Sequence, residues 1–580
     1  LDGIVFDIHW QGAQDENDEQ VATQGFYMGN LDWNKNKYPN PEEMLANFKA
    51  KNVHSIAITE PYFAGSISNY QTLKEHGWLA DESVNNMDWV FNPSGLIDAS
   101  NPDAMEWMNG FYKARTEEGL DGWWLDLGEP ERHDGDSHHM GGNFNQIHNE
   151  FGNLWIESTY NGLKKNFPNM RHFLMPRAGT AGMQRFSTFP WTGDIRRSWN
   201  GLAAQIPALV NGSMSGMGYL GSDIGGFTST GTNPNLYLRW VQLGVFYPMM
   251  RTHSADQPEP YNSCYSSVVD KVREFIRLRY SYLPYTYTLS YKNTRYGSPI
   301  ARPISFMDPD NASIANCMDE YLWGPDILVA PVVSENATSR NITFPKGGWA
   351  DLNDGKIYEG TANYAAPLDR LPHFLREGAM VPRYMDSDYT STANLNPDNI
   401  EVEFFPYRNN TDLMTAEMYE DDHVTPDPIS TGDYHLTKFS ALSNEYGVAV
   451  MIEHEGTRHF KPESMTSNQA DVRQYVFHIY GHEAQQEVSV IRYPAANTMA
   501  RASEQSTPLS NHGNKDAFDN SDEDGYYVAD NTTHVRVSAS PLETLLLSSG
   551  DAALVTGVTG TESINYLWLA YADGTINYSA

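Results

Sequence analysis

Residues 121–132 read DGWWLDLGEPER, and the fold is decided there. Gly122 to Leu127 is a short apolar run with two tryptophans, flanked by turn-forming residues. It delivers two carboxylates, Asp126 and Glu129, into a loop containing Gly and Pro. A buried strand that ends in acids and aromatics is how a parallel α/β barrel presents chemistry at the C-terminal face of its strands.

Working outward, the first half alternates short apolar runs with amphipathic helical patterns, the signature of a parallel barrel or a doubly wound sheet. Strands are predicted at 4–10 (IVFDIHW), 55–62 (SIAITEPY) and 122–127, then at 173–177 (FLMPR), 189–194 (FPWTGD), 218–224 (GYLGSDI) and 245–251 (VFYPMMR). Helices are predicted at 41–50, 103–118, 145–166 and 200–209, and a long Tyr- and Arg-rich one at 268–292. Acids in the first turn of 41–50 and Lys49 in its last suit the helix macrodipole. Seven strands, nearly all ending in a polar or charged residue, are explained by a (β/α)8 TIM barrel whose first βα unit is absent. A doubly wound sheet would gather its functional residues at one switch point instead. An insertion at about 63–102 carries Trp78, Trp89 and Phe91, either as packing or as the wall of a pocket.

From about residue 298 the pattern changes to short alternating strands with Gly, Asn and Asp turns, which reads as all-β. The expected division is a barrel over 1–297, a proximal β-sandwich over 298–385, a distal one over 386–548 and a C-terminal extension over 549–580. The polar stretch 386–399 (DSDYTSTANLNPDN) marks the boundary between the two sandwiches.

At 580 residues the chain is too long for one core. Its 39 basic against 74 acidic residues, a net charge of −35, exclude nucleic acid and anionic membrane as partners, since both need a basic face. No stretch approaches the roughly 18 continuous apolar residues of a membrane span. Two cysteines, Cys264 and Cys317, are too few for a disulfide framework or a thiolate zinc site, and free thiols are expected. The cluster His133, Asp134, Asp136, His138, His139 and His148 has irregular spacing in a polar loop, so a solvated loop is expected there rather than a metal site.

Retaining glycosyl transfer needs one carboxylate as nucleophile and another as acid/base, about 5–5.5 Å apart across the anomeric carbon. Acids at the ends of two barrel strands can meet that need. The candidates are Asp7, Glu60, Asp126, Glu129, Asp194 and Asp223, and spacing alone does not choose a pair. An isolated strand-end Asp is more commonly a helix cap or a loop ligand.

The wording of the motifs narrows the choice. Trp124-Leu-Asp126-Leu-Gly-Glu129-Pro130 resembles the nucleophile signature of glycoside hydrolase family 31, the α-glucosidase and α-xylosidase family. Trp191-Thr-Gly-Asp194 resembles its acid/base segment, and Gly221-Ser-Asp223-Ile-Gly-Gly-Phe227 a later substrate-binding loop. Arg251-Thr-His253 is similar to its arginine–histidine pair, and further matches run through Arg302-Pro303, Trp323-Gly-Pro325 and residues 371–378. The resemblance implies Asp126 as nucleophile and Asp194 as general acid, then base. It implies Asp7, Arg177, Asp223, Arg251 and His253 as grips on the sugar, with Trp124, Trp191 and Phe227 as apolar walls. Glu129 becomes a supporting residue, while Glu60, where many relatives have Asp, is either a sugar contact or structural.

Chemistry gives the two aspartates different needs: Asp126 must be ionised and Asp194 must start protonated. A wall of Trp191 and Phe189, together with the charge of Asp126, is expected to raise the pKa of Asp194. The expected partner is an α-linked oligosaccharide, with no cofactor, in an extracellular or periplasmic setting. GWWLDLGEPE, with ITEPYF before it, is closest in wording to bacterial oligosaccharide 4-α-glucosyltransferases of the family. A plain α-glucosidase, α-xylosidase or α-galactosidase, or a catalytically silent carbohydrate-binding protein, are the alternatives. Because an open barrel edge exposes unpaired backbone, polypeptide is expected ahead of Leu1.

Overall fold

The apolar runs of the first half form parallel strands. In the computed structural model β1 (Gly3–Phe6), β2 (His54–Thr59), β6 (Gly122–Leu125) and β7 (Phe173–Pro176) make one sheet in the order β1-β2-β6-β7. Its register pairs Phe6 with Ala57, Thr59 with Leu125 and Leu125 with Pro176. β8 (Gly221–Ile224) and β9 (Met249–Thr252) form a second parallel pair in which Asp223 faces Arg251. The described residues are 1–12, 28–84, 94–228, 231–256, 259–385, 391–444, 447–456, 473–481, 487–492, 506–521, 523–529, 532–539, 543–548, 552–556, 567–571 and 576–577.

The strand expected at 189–194 is not regular. Single bridges, Leu174 to Thr188 and Trp191 to Gly221, join this segment to β7 and β8. Pro190 explains it: a proline has no N–H to give a ladder, and here it only accepts, from the Gly221 amide at 2.6 Å. The segment still occupies a strand's place, so seven barrel positions are filled. Among the described residues no pairing joins β9 to β1.

Helices α1 (Pro41–Lys49), α2 (Pro102–Glu117), α3 (Phe151–Asn166), α4 (Trp199–Met214) and α5 (Pro234–Val245) follow the strands. Asn101, Ser198 and Asn233 cap α2, α4 and α5 through their side chains, each satisfying amides that the first helical turn leaves open. α5 is buried along most of its length, so its apolar residues run into the next strand without a polar break. That is why the strand expected from 245 begins only at Met249. The helix expected at 268–292 splits into α6 (Val269–Ser281) and α7 (Leu283–Tyr296), because Pro284 suits the first turn of a helix and not its middle.

In the insertion, β3 (Tyr62–Ala64), β4 (Leu79–Val84) and β5 (Ser94–Ile97) form a sheet in the order β3-β5-β4. Trp78 stacks on His76 at 4.4 Å and meets Trp107 at 6.4 Å, which is packing rather than a pocket wall. Trp89 and Phe91 lie outside the described residues.

After α7 the described residues are mainly β-strands, with short helices at Pro428–Thr431 and Lys515–Asp519. Strands Ala301–Arg302, Tyr321–Trp323, Ile327–Val329, His373–Arg376, Trp349–Asp351 and Ile357–Tyr358 make a six-stranded sheet. Two further six-stranded sheets pack around a core that includes Val402, Phe404 and Phe477 from one and Met418, Phe439 and Val450 from the other. Strand Ala379–Tyr384 pairs antiparallel with Asn399–Phe405, so the two strands on either side of the polar stretch lie next to each other in one sheet. A polar linker of that kind reads the same from sequence whether it joins two strands or two modules. Strands Ala552–Thr556, Leu567–Tyr571 and Ile576–Asn577 form a last small sheet. Cys264 and Cys317 are unbridged. Among the described residues no helix is long and apolar enough to cross a membrane.

Candidate active site

Each strand of the barrel hands over a chemical group at its C-terminal end. Asp7 follows β1, Glu60 follows β2, Asp126 follows β6, Arg177 follows β7 and His253 follows β9. Asp223 and Arg251 are register partners near the ends of β8 and β9. Strand alternation sorts the two tryptophans of β6. Trp123 turns outward onto Tyr112 of α2, with ring centroids 4.6 Å apart. Trp124 turns inward, edge-on to Trp191 at 5.5 Å and to His253 at 5.2 Å.

Asp126 sits at the base of this cup. Its amide donates to the Thr59 carbonyl at 3.0 Å, which fixes where the side chain starts. The carboxylate is 16 % exposed, and its Oδ1 lies 3.4 Å from Arg177 Nε. Burial, with the charges of Asp194 and Glu129, outweighs Arg177 and pushes its pKa up to about 7. Oδ1 is buried with no hydrogen-bond partner among the described residues. A carboxylate that is desolvated and under-bonded is a stronger nucleophile than one caged by donors.

Arg177 is held by more than its target. Its Nε and Nη2 donate to Glu129 at 2.7 and 2.9 Å, and Nη2 also reaches Glu131 at 2.8 Å. Glu129 therefore orients Arg177, which agrees with its reading as support. Glu131 was not picked out from the sequence, although it stands two residues beyond Glu129 in the same loop.

Asp194 stands in a turn after Trp191, where Gly193 takes the left-handed φ of 76° that favours glycine. Its carboxyl is exposed at the mouth, and its pKa is raised by partial burial and by the charges of Glu131 and Asp7, against Arg177 and Arg251. Burial is the leading cause, as expected, while Phe189 stacks on Phe173 at 4.6 Å and packs on Tyr219 at 5.1 Å. The charge coupling with Asp126 is instead seen in the raised pKa of Asp126.

The Asp194 loop is zipped to the Gly-Gly loop after β8. Phe227 N donates to Ile195 O at 2.8 Å and Arg197 N to Thr228 O at 2.9 Å. A Cβ on Gly226 (φ 82°) would lie 2.4 Å from the Arg197 Cα, so this contact demands glycine. The buried Arg197 guanidinium then ties the loop to Gly231 O at 2.8 Å, to Asp256 at 2.6 Å and to Ser254. Arg197 gave no signal in the sequence, because its partners are set by loop contact alone.

On the far wall Arg251 pairs with the fully buried Asp223, and its guanidinium lies over the Trp124 and Trp191 rings at 5.0 and 5.2 Å. Burial pushes Asp223 up to about 7 despite that cation. Asp223 Oδ2 and both Nε and Nη1 of Arg251 are buried without partners among the described residues. His253 is pushed down to about 3 by burial and by Arg251, so it is a neutral imidazole at working pH. Phe227 covers it at 5.1 Å.

The histidine cluster is not a solvated loop throughout. His133 Nε2 meets His139 Nε2 at 2.7 Å, and the buried His139 meets Asp98 through Nδ1 at 3.1 Å. Asp98 also accepts from the Met140 amide at 2.6 Å, so a buried acid organises the loop. His138 and Asp136 remain exposed.

A family profile described as the glycosyl hydrolases family 31 TIM-barrel domain matches residues 1–289, and that of the family's C-terminal domain matches 297–381. The chain belongs to glycoside hydrolase family 31. It is 30 % identical over 482 residues to alpha-glucosidase 2 of Bacillus thermoamyloliquefaciens, covering 79 % of this chain and 58 % of that enzyme. The chain thus spans little more than half of that relative. Among solved structures, a family 31 dextranase of Flavobacterium johnsoniae complexed with glucose superposes with a TM-score of 0.79 at 23 % identity, over 94 % of this chain and 67 % of that one. A cycloalternan-forming enzyme of Listeria monocytogenes, in complex with a pentasaccharide substrate, gives 0.74 at 19 %, over 98 % and 57 %. These likenesses show a shared fold: the barrel followed by all-β modules.

Proposed function

We propose that this family 31 chain is a retaining enzyme that moves glucosyl units between α-1,4-linked gluco-oligosaccharides through a covalent glycosyl-aspartate. The observation that carries the reading is the setting of Asp126, desolvated at a strand end, bare at Oδ1 and 3.4 Å from a cation. Ionised Asp126 attacks the anomeric carbon while protonated Asp194 gives its proton to the leaving oxygen. Asp194, now a base, takes a proton from an acceptor hydroxyl, which then displaces Asp126. The Asp223–Arg251 pair, Asp7 and neutral His253 grip the sugar hydroxyls, and Trp124 and Trp191 form the floor on which the ring lies. The named α-glucosidase relative supports an α-glucoside as donor.

A 2-deoxy-2-fluoro-α-glucosyl fluoride forms the intermediate and slows its release, so mass spectrometry after proteolysis is expected to find the sugar on the peptide carrying Asp126. Label on any other carboxylate removes the assignment. Incubation with maltotriose is expected to yield longer chains, and glucose and maltose alone would mean hydrolysis.

A further inference from the structure

Glu60 is a deeply buried carboxylate on the strand end next to the nucleophile's, and the mechanism above does not use it. The parallel register of β2 and β6 pairs Thr59 with Leu125, so the next residues, Glu60 and Asp126, leave adjacent strand ends side by side. Glu60 is 1 % exposed. One oxygen, Oε2, accepts from Gln11 Nε2 at 3.0 Å. That amide cannot be turned the other way, because Gln11 Oε1 accepts from the Gly29 and Leu31 amides at 3.1 and 3.2 Å. The other oxygen, Oε1, is buried with no partner among the described residues.

Two buried carboxylates on neighbouring strand ends cannot both be ionised without a large Coulomb cost. Arg177 stands at Asp126, while Glu60 has only neutral donors, the Gln11 amide and its own backbone N–H. The charge therefore belongs on Asp126.

We propose that Glu60 is a positioning residue for Asp126: a carboxylic acid kept neutral by its burial, which fills the base of the site and leaves the single negative charge on Asp126. This rests on the reading of Asp126 as nucleophile. The groups acting on Glu60 are Asp126, Asp7, the Gln11 amide and its own backbone N–H, with the buried hydroxyl of Tyr112 also within its field. Burial first, then Asp126, push Glu60 up to about 8.

The test needs no turnover. Infrared spectra of the full chain with 13C-carboxyl glutamate are recorded as a function of pH for the wild type, Glu60→Gln and Asp126→Asn. At pH 7 the wild type is expected to show a protonated-acid carbonyl band that Glu60→Gln lacks. In Asp126→Asn the same band is expected to titrate lower by about one pH unit or more, since its charged neighbour is gone. Identical spectra for wild type and Glu60→Gln, or an unmoved titration in Asp126→Asn, would overturn the proposal. Kinetics add a second arm. Replacing a neutral acid by a neutral amide should leave the acidic limb of kcat/KM in place and the maximum within about threefold. An acidic limb that falls to lower pH in Glu60→Gln would mean that Glu60 is ionised in the working enzyme, and would also overturn it. Failure of Asp126 as nucleophile would show in the trapping experiment and leave these spectra unchanged.

Discussion

At the barrel mouth Asp126, Glu60 and Asp223 are pushed up to about 7, about 8 and about 7, each with a buried oxygen that nothing bonds among the described residues. In the distal sandwich Glu401 is also buried, yet Arg383 and His478 hold it down at about 2. Between the two sheets of that sandwich Arg473 grips Glu420 through two bonds of 2.8 Å. The residue types are the same and the outcomes opposite. Where a cation faces the buried carboxylate and outweighs its burial, the group stays ionised and the pair holds the fold. Where burial is left under-compensated, the carboxyl is held above its ordinary range with bonding capacity unused.

The contrast breaks first at Asp126. Asp126→Ala is expected to lower kcat by about 10,000-fold or more while leaving the unfolding temperature unchanged or higher. Retained turnover would end the catalytic assignment, and a large loss of stability would put Asp126 with the structural carboxylates. Asp194→Ala is expected to lose about 100- to 10,000-fold on oligosaccharides and far less on glycosyl fluorides, whose leaving group needs no acid. Equal losses on both substrates would remove the acid role.

The sandwich should answer in the other currency. Arg473→Met leaves Glu420 buried without its cation, and a cost of about 3–5 kcal/mol to that module is expected. Calorimetry should show the loss, while kcat per folded molecule stays at the wild-type value.

A smaller effect sharpens the comparison through pH. The mouth carboxylates have folded pKa values above their unfolded ones, so their contribution to stability is present at acid pH and is lost as pH rises through about 7 to 8. Glu401 has a lowered value, so its contribution is present above its ordinary pKa of 4.5 and is lost as pH falls through about 2. Unfolding temperatures should therefore decline on both sides of mildly acid pH. Glu60→Gln is expected to flatten the alkaline decline and Glu401→Gln the acid one, each by a few degrees. A variant that flattens the wrong side would reverse the distinction. In the kinetics, the acidic limb of kcat/KM should lie near pH 7, where Asp126 titrates, rather than near 4.

Much of the barrel could be read in advance because its signals are local. Asp7, Glu60, Asp126 and Arg177 each follow a short apolar run directly, and a strand that ends at a polar residue shows its end in the sequence. Residues 188–191 were harder, since Pro190 keeps a strand's place while denying it a strand's hydrogen bonds. The pairing of Ala379–Tyr384 with Asn399–Phe405 was not legible either, because a polar linker does not say what it joins. Gln11, Glu131 and Arg197 were missed for one reason: each acts on a group that only folding brings near.

By itself the sequence determined the parallel barrel, the order of its functional strand ends and the motifs around Asp126 and Asp194. These follow from side-chain periodicity and from residues next to one another in the chain. Only the tertiary structure decided which carboxylates go without donors, which cation each one meets and that Glu60 lies beside Asp126. Burial and charge depend on distance through space, and neighbours as far apart in the chain as Asp126 and Arg177, or Gln11 and Glu60, meet only when the strands align.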